Sequence, residues 1–223
     1  MKKSIFLIPL SILLAACSGE INDLDRMDLR GPVKSIIEKQ FFTTHKTDRW
    51  EPGEQVNPVY KLTLYDRDGN YVKLFHIGDN GDTLASGSCR REGGDIVEET
   101  FYVAYNRQTT QTFMERVSDQ QVDFEMRSNG LLMYEGANYY DSKGRIISQI
   151  QVVADREVVL HFVYEKRLMV ESYQEDQTGE RKSTRLFEYT DFDEKGNWTT
   201  QLVYLDAEKI TPRYAVTREL EYY

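Results

Sequence analysis

Reactive side chains are few in this sequence, and none stands at a spacing that defines a reaction. The three histidines, His45, His76 and His161, are far apart and pair with no second ligand. His161 lies inside a Val-rich run and reads as a core side chain rather than a general base or metal ligand. Asp66-Arg67-Asp68-Gly69-Asn70 and Asp79-Asn80-Gly81-Asp82 carry the oxygens a calcium loop uses. They lack its alternating register and its distal Glu, so they read as turns. Glu98-Glu99 supplies two carboxylates, but neighbours on a strand face opposite sides and cannot flank one glycosidic bond. No Gly-x-Ser-x-Gly, His-Glu-x-x-His, phosphate loop or Gly-x-Gly-x-x-Gly is present. The expectation is a protein that is not an enzyme, with no catalytic residue, no metal ligand and no cofactor.

Binding chemistry has three candidates, Trp50, Arg90 and Arg91. They fall in two stretches, 44–58 and 78–95, that are expected to be irregular, and long loops in a compact sheet are usually functional. An exposed Trp50 would favour recognition, because tryptophan gives a large contact area for little entropy. A Trp50 folded back would instead cover an open edge of the sheet. Cys89 stands before Arg90-Arg91, whose charges would make its thiol more acidic. With no second cysteine or metal spacing near it, it reads as a small inert side chain.

The elements that must position these residues are strands. Val122, Phe124 and Met126 alternate with Asp123, Glu125 and Arg127. Tyr214, Val216, Leu220 and Tyr222 alternate with Ala215, Thr217, Glu219 and Glu221, and Arg218 is the one exception on the apolar side. Period two marks strands with one buried face. Val158 to Tyr164 is apolar at nearly every position and fits a strand buried on both faces. Fifteen tyrosines and ten phenylalanines against five prolines suit pleated surfaces, and no run after the signal segment 1–16 has a helical period, so no helix is expected there.

One turn recurs between the strands. Tyr65-Asp66-Arg67-Asp68-Gly69-Asn70, Tyr140-Asp141-Ser142-Lys143-Gly144-Arg145 and Phe192-Asp193-Glu194-Lys195-Gly196-Asn197 share an aromatic, Asp, two polar residues, Gly, then Asn or Arg. The Asp accepts from backbone amides further on, and the Gly supplies the positive φ that ends a short hairpin loop. Tyr164-Glu165-Lys166-Arg167 is a shortened relative without the glycine. The expected fold is therefore all-β, an antiparallel meander of about a dozen strands. Twist accumulates along so long a sheet, so it should form a twisted, partly wrapped sheet or open barrel. Ile37, Leu62, Leu64, Phe101, Phe124, Ile150, Leu160, Phe162, Leu202 and Val216 are the expected core.

The template resembles the YD or RHS repeat, whose units form successive β-hairpins. With Gly31-Pro32-Val33-Lys34-Ser35 at its start and a Tyr-rich last strand, the chain looks like small lipoproteins of the Bacteroides type. The units here are 75 and 52 residues apart, where true repeats follow closely. The resemblance implies the hairpin architecture and not the toxin-encasing role of long RHS shells.

The N-terminus carries the sharpest address. Lys2 and Lys3 precede an apolar run from Ile5 to Ala16, too short to cross a bilayer core of roughly 30 Å as a helix. Leu14-Ala15-Ala16-Cys17 looks like the lipobox of bacterial lipoproteins, which implies cleavage before Cys17 and its lipidation. Stable anchoring takes more than one acyl chain, and a triacylated cysteine supplies three. The division expected is a signal peptide over 1–16, a lipidated cysteine and tether over 17–31, and one β domain over 32–223. Removing 1–16 takes two lysines and no acid, so the formal charge moves from −9 to −11. That charge opposes nucleic acid as a partner. The expected function is a lipid-anchored cell-envelope protein at the outer membrane. It would meet the membrane through its lipid and bind an envelope protein or glycan through its sheet and loops. The alternative is an envelope hydrolase or carbohydrate-active accessory enzyme with an unrecognised site.

Overall fold

The computed structural model describes residues 22–154 and 156–223. One four-residue helix, α1 (Asp23–Arg26), precedes fifteen strands. These are β1 (Val33–Lys46), β2 (Arg49–Gln55), β3 (Val59–Tyr65), β4 (Tyr71–Gly78), β5 (Thr83–Glu92), β6 (Asp95–Val103), β7 (Gln108–Ser118) and β8 (Gln121–Ser128). After them come β9 (Leu131–Tyr140), β10 (Ile146–Val153), β11 (Arg156–Glu165), β12 (Leu168–Glu175), β13 (Arg181–Phe192), β14 (Trp198–Tyr204) and β15 (Tyr214–Tyr222).

From β3 onward each strand pairs antiparallel with the next, the expected meander. The sheet then closes on itself. β1 pairs with β15 through Ile36 opposite Leu220, Glu38 opposite Arg218 and Phe42 opposite Tyr214, so fourteen strands form a closed barrel. Closure removes the edges that an open sheet would expose. β2 is the one strand outside the wall. It lies in line with β3 along the same side of β1, separated from it by residues 56–58, and Val56 N donates to Gln40 O (2.9 Å) across the break.

The lumen side of the wall is identified by what meets there. Leu24 and Leu29 pack in one cluster with Ile36, Tyr65, Met114 and Phe124, whose strands lie on different sides of the ring. Only the lumen brings these residues together. Alternation then assigns every wall residue to one face. Phe124 and Met126 are buried inward while Asp123 and Arg127 are exposed outward, as the sequence predicts. Of the other expected core residues, Phe101, Leu160, Phe162 and Val216 face the lumen. Ile37, Leu62, Leu64 and Ile150 share the outward face, and Leu202 is buried on that face too.

Two boundaries differ from expectation. Residues 44–58 and 78–95 are mostly strand, because β2 continues the β1 hairpin and β5 runs through Ser86-Gly87-Ser88. Gly87 is needed there: a Cβ would lie 3.1 Å from the Tyr71 hydroxyl inside the barrel. The tether expected over 17–31 is also not free over its second half. Residues 22–31 pack into one end of the barrel, with Leu24 and Leu29 buried. A four-residue helix is too short to show a period in sequence, and its anchoring partners lie on distant turns. Cys17 and the signal segment lie outside the described residues.

Candidate functional site

The plugged end is built from the recurring turns. Each has the same pair of backbone bonds: Asp66 N to Asn70 O (2.9 Å) and Gly69 N to Asp66 O (3.1 Å), repeated at Asp141–Arg145 and Asp193–Asn197. The Asp carboxylate accepts the amides two and four residues on, as Asp66 Oδ1 does from Asp68 N and Asn70 N. Gly69, Gly144 and Gly196 have φ of 82°, 75° and 78°. Asp176–Glu180 uses the same bonds with Gly179, a fourth copy that sequence reasoning missed because its flanks lack the aromatic and the Asn or Arg.

An even number of strands separates the three template turns, so all three fall at one end, and there they grip the N-terminal segment. Asn22 caps α1, accepting from Asp25 N (3.0 Å), and donates its amide to Asp68 O (2.8 Å). Leu24 N donates to Gly69 O (3.1 Å). The Arg167 guanidinium donates to Gly196 O and lies 3.2 Å from Asp28. Asp23, with no exposed surface, accepts from Arg26 (2.6 Å), from Tyr71 N (2.7 Å) and from Arg91. Glu99 lines the wall beside this knot. Burial, with the Asp23 charge adding, raises its carboxyl to about 8, against the pull of Arg91.

Above the plug the lumen side of the wall is less completely buried. Eight strands enclose about as much as side chains can fill, and fourteen enclose more. Val33, Ile36, Tyr65, Ile96 and Phe124 around α1 are buried, whereas lumen-facing Phe101, Leu160, Phe162 and Val216 keep part of their surface accessible. Across this open half runs a charged row. Glu38 on β1 is flanked by Arg218 on β15 and Lys61 on β3, and Lys61 is opposite His76 on β4. Arg218 Nε donates to Glu38 (2.9 Å), its guanidinium lies 3.5 Å over the Trp198 ring, and Lys61 contacts the other Glu38 oxygen. Removal from bulk water, with the Arg218 charge, lowers the Lys61 ammonium from the usual lysine range. Burial likewise lowers Arg218, and burial with the Lys61 charge lowers His76. Sequence gave one sign of this row, Arg218 breaking the apolar alternation of β15.

The three candidates from sequence are not brought together. Arg90 and Arg91 face opposite sides of β5. Arg90 is outside with Glu92 and Glu98 (3.3 Å), and Arg91 is inside on Asp23. Arg91 therefore holds the plug. Cys89 donates to Tyr71 O (3.3 Å), and burial pushes its thiol up, the direction opposite to activation. Trp50 lies on the β1–β2 hairpin, which rises past the last β15 partner and folds over the outer wall. There Trp50 packs on Leu202, Tyr204 and Ala215, with the His45 ring against it at 4.9 Å. Trp50 thus covers the sheet face. A groove of about 640 Å³ beneath it is lined by Arg49, Glu51, Glu188, Asp191 and Tyr204. His161 is on the outer face too, stacked on Tyr173 and 3.5 Å from Glu175. Among the described residues no three His, Cys, Asp or Glu side chains converge as a metal site.

No protein family and no curated protein matches this sequence. Among solved structures, a porin-like protein from Bacteroides uniformis is similar over 85% of this chain and 98% of its own, at 10% identity and a TM-score of 0.41. A likeness that distant carries no functional inference.

Proposed function

We propose that this protein is a non-enzymatic, lipid-anchored envelope barrel that binds a small molecule in the open half of its lumen. The carrying observation is the uneven filling of the lumen, closed by α1 at one end and lined by Glu38, Lys61 and Arg218 above it. Such a shape suits a ligand that enters from the unplugged mouth. The lipobox at Cys17 supports the anchor, and five residue steps from Cys17 to Asn22 span at most ~18 Å. The plugged end would then sit at the membrane and the mouth would face away from it.

The outer wall supports a barrel hung from lipid rather than one embedded in it. A bilayer-spanning barrel presents an apolar band outward. Here Lys39, Glu98, Asp123, Glu135, Glu188 and Glu219 point outward from different strands. A second, docking role is favoured by three neighbouring tips at the mouth. Tyr105, Leu131 and Leu132 are 87%, 73% and 54% exposed, with Met133 and Val153 beside them, and such apolar patches suit a protein partner.

The anchor is tested by metabolic labelling with an alkyne fatty acid and by fractionation. Wild type should be labelled and membrane-bound, and Cys17→Ser unlabelled and released; an unlabelled, soluble wild type refutes the anchor. Binding is tested by native mass spectrometry of protein taken from its own membranes. A bound mass that Lys61→Gln and Arg218→Gln reduce together supports the lumen, and a ligand-free barrel argues for docking alone.

A further inference from the structure

We infer that the lumen takes a single-chain amphiphile with an anionic head, the head held by Arg218 and Lys61 and the chain lying toward the mouth. The inference rests on the lumen-binding reading above and names the class of ligand.

Charge carries the first half of the argument. The chain as a whole is acidic, with 37 acids against 28 bases. Its inner wall has the opposite sign. Between the plug and the rim, among the described residues, the wall presents one carboxylate, Glu38, against Lys61, Arg185 and Arg218. Glu38 is shared by both of its neighbours, so it neutralises one of them. Arg218 spends Nε on Glu38 and its flat face on Trp198, and no protein acceptor meets its two terminal nitrogens among the described residues. A guanidinium held in that way is oriented to bind a carboxylate or phosphate with both remaining nitrogens. Arg218 and Glu38 are largely buried, with side chains 8% and 14% exposed, and there a cation without a full counter-charge is costly; a bound anion would supply that charge.

Shape and polarity carry the second half. From the charged row to the mouth, Phe42 and Val216 at the β1–β15 seam and Leu160 and Phe162 on β11 lie on the lumen side, each partly exposed. Apolar surface left partly exposed on the lumen side is stabilised by an apolar occupant. A compact anion such as free phosphate would leave that surface wet, and a neutral lipid would leave the cations unmatched. A chain with an anionic head satisfies both. The head could be a carboxylate or a phosphate, since both accept two parallel bonds from a guanidinium.

The test uses the full-length lipidated protein in its native membranes. A photoreactive palmitate analogue with a mid-chain diazirine is crosslinked, and the labelled peptides are mapped. Label is expected on β11, at Leu160 or Phe162, and palmitate or hexadecyl phosphate should compete it away where hexadecanol does not. Whichever anion competes at the lower concentration identifies the head. Arg218→Gln should weaken labelling at least tenfold, while Arg218→Lys retains part of it. An Arg185→Gln variant, nearer the mouth and outside the Glu38 row, guards against a result due only to misfolding. Equal competition by hexadecanol would overturn the anionic class and leave lumen binding standing. Label confined to the outer wall, or none with any probe, would overturn lumen binding itself.

Discussion

Asn197 and Arg30 exchange two hydrogen bonds across 167 residues of chain. Arg30 N donates to Asn197 Oδ1 at 2.7 Å, and Asn197 Nδ2 donates to Arg30 O at 2.9 Å. Asn197 also ends the Asp193 turn and donates to the Tyr222 hydroxyl (2.7 Å). One buried amide thus ties the plug, a template turn and the last strand together.

Asn197→Ala should therefore destabilise more than a surface substitution. It removes three bonds and leaves buried partners unsatisfied, a loss of about 2–4 kcal/mol. Asn197→Asp keeps the acceptor but loses the donor, and should fall between wild type and alanine in chemical denaturation. An Asn197→Ala midpoint equal to wild type would show that the plug is not coupled to the barrel.

The turn glycines should separate by what surrounds them. Gly69 and Gly179 have nearly the same φ, 82° and 78°, so alanine costs each about 1 kcal/mol in backbone strain. At Gly69 a Cβ would also meet the Asn22 side chain at 2.5 Å, whereas at Gly179 nothing lies within 4 Å. Gly69→Ala should be the more damaging and should increase proteolysis near Asn22. Equal losses at the two sites would mean that Asn22 moves aside freely.

Stability should fall as pH rises. The Glu99 carboxyl is raised from 4.5 to about 8 in the folded barrel, so the folded state holds its proton over a range where the unfolded chain has lost it. That contribution is complete below about pH 4.5 and is lost as pH climbs through about 8. Thermal melts over this window should show a falling midpoint, and Glu99→Gln should flatten the slope. An unchanged slope in Glu99→Gln would assign the dependence to another group.

The sequence was legible wherever the cause was local. The Asp and Gly of each turn carry their own geometry, so the hairpins at Gly69, Gly144 and Gly196 could be read directly. Alternation gave the strands but not the choice of face, since Leu62 and Leu64 are as apolar as residues turned inward. They lie outside because Thr63 between them and Lys61 before them face inward, opposite Ile36 and Glu38. That choice follows from closure through β1 and β15, which begin and end the barrel wall and share no local signal. The charged row was hidden for the same reason. Glu38, Lys61, His76 and Arg218 come from four strands, and only Arg218 broke a pattern visible in sequence.

The β1–β15 seam also sets an order of events. A chain released N-terminus first presents β1 long before β15 exists, and every intermediate sheet ends in a bare strand able to pair with another molecule. The plug cannot be fully secured earlier either, since Arg30 waits for Asn197. Closure should therefore be the slow step, because the seam is the long-range pairing in a sheet otherwise built from sequential hairpins. In the cell, the vulnerable moment would come before the last thirty or so residues arrive, and a chaperone that shields the exposed margin of the growing sheet would be of most use then.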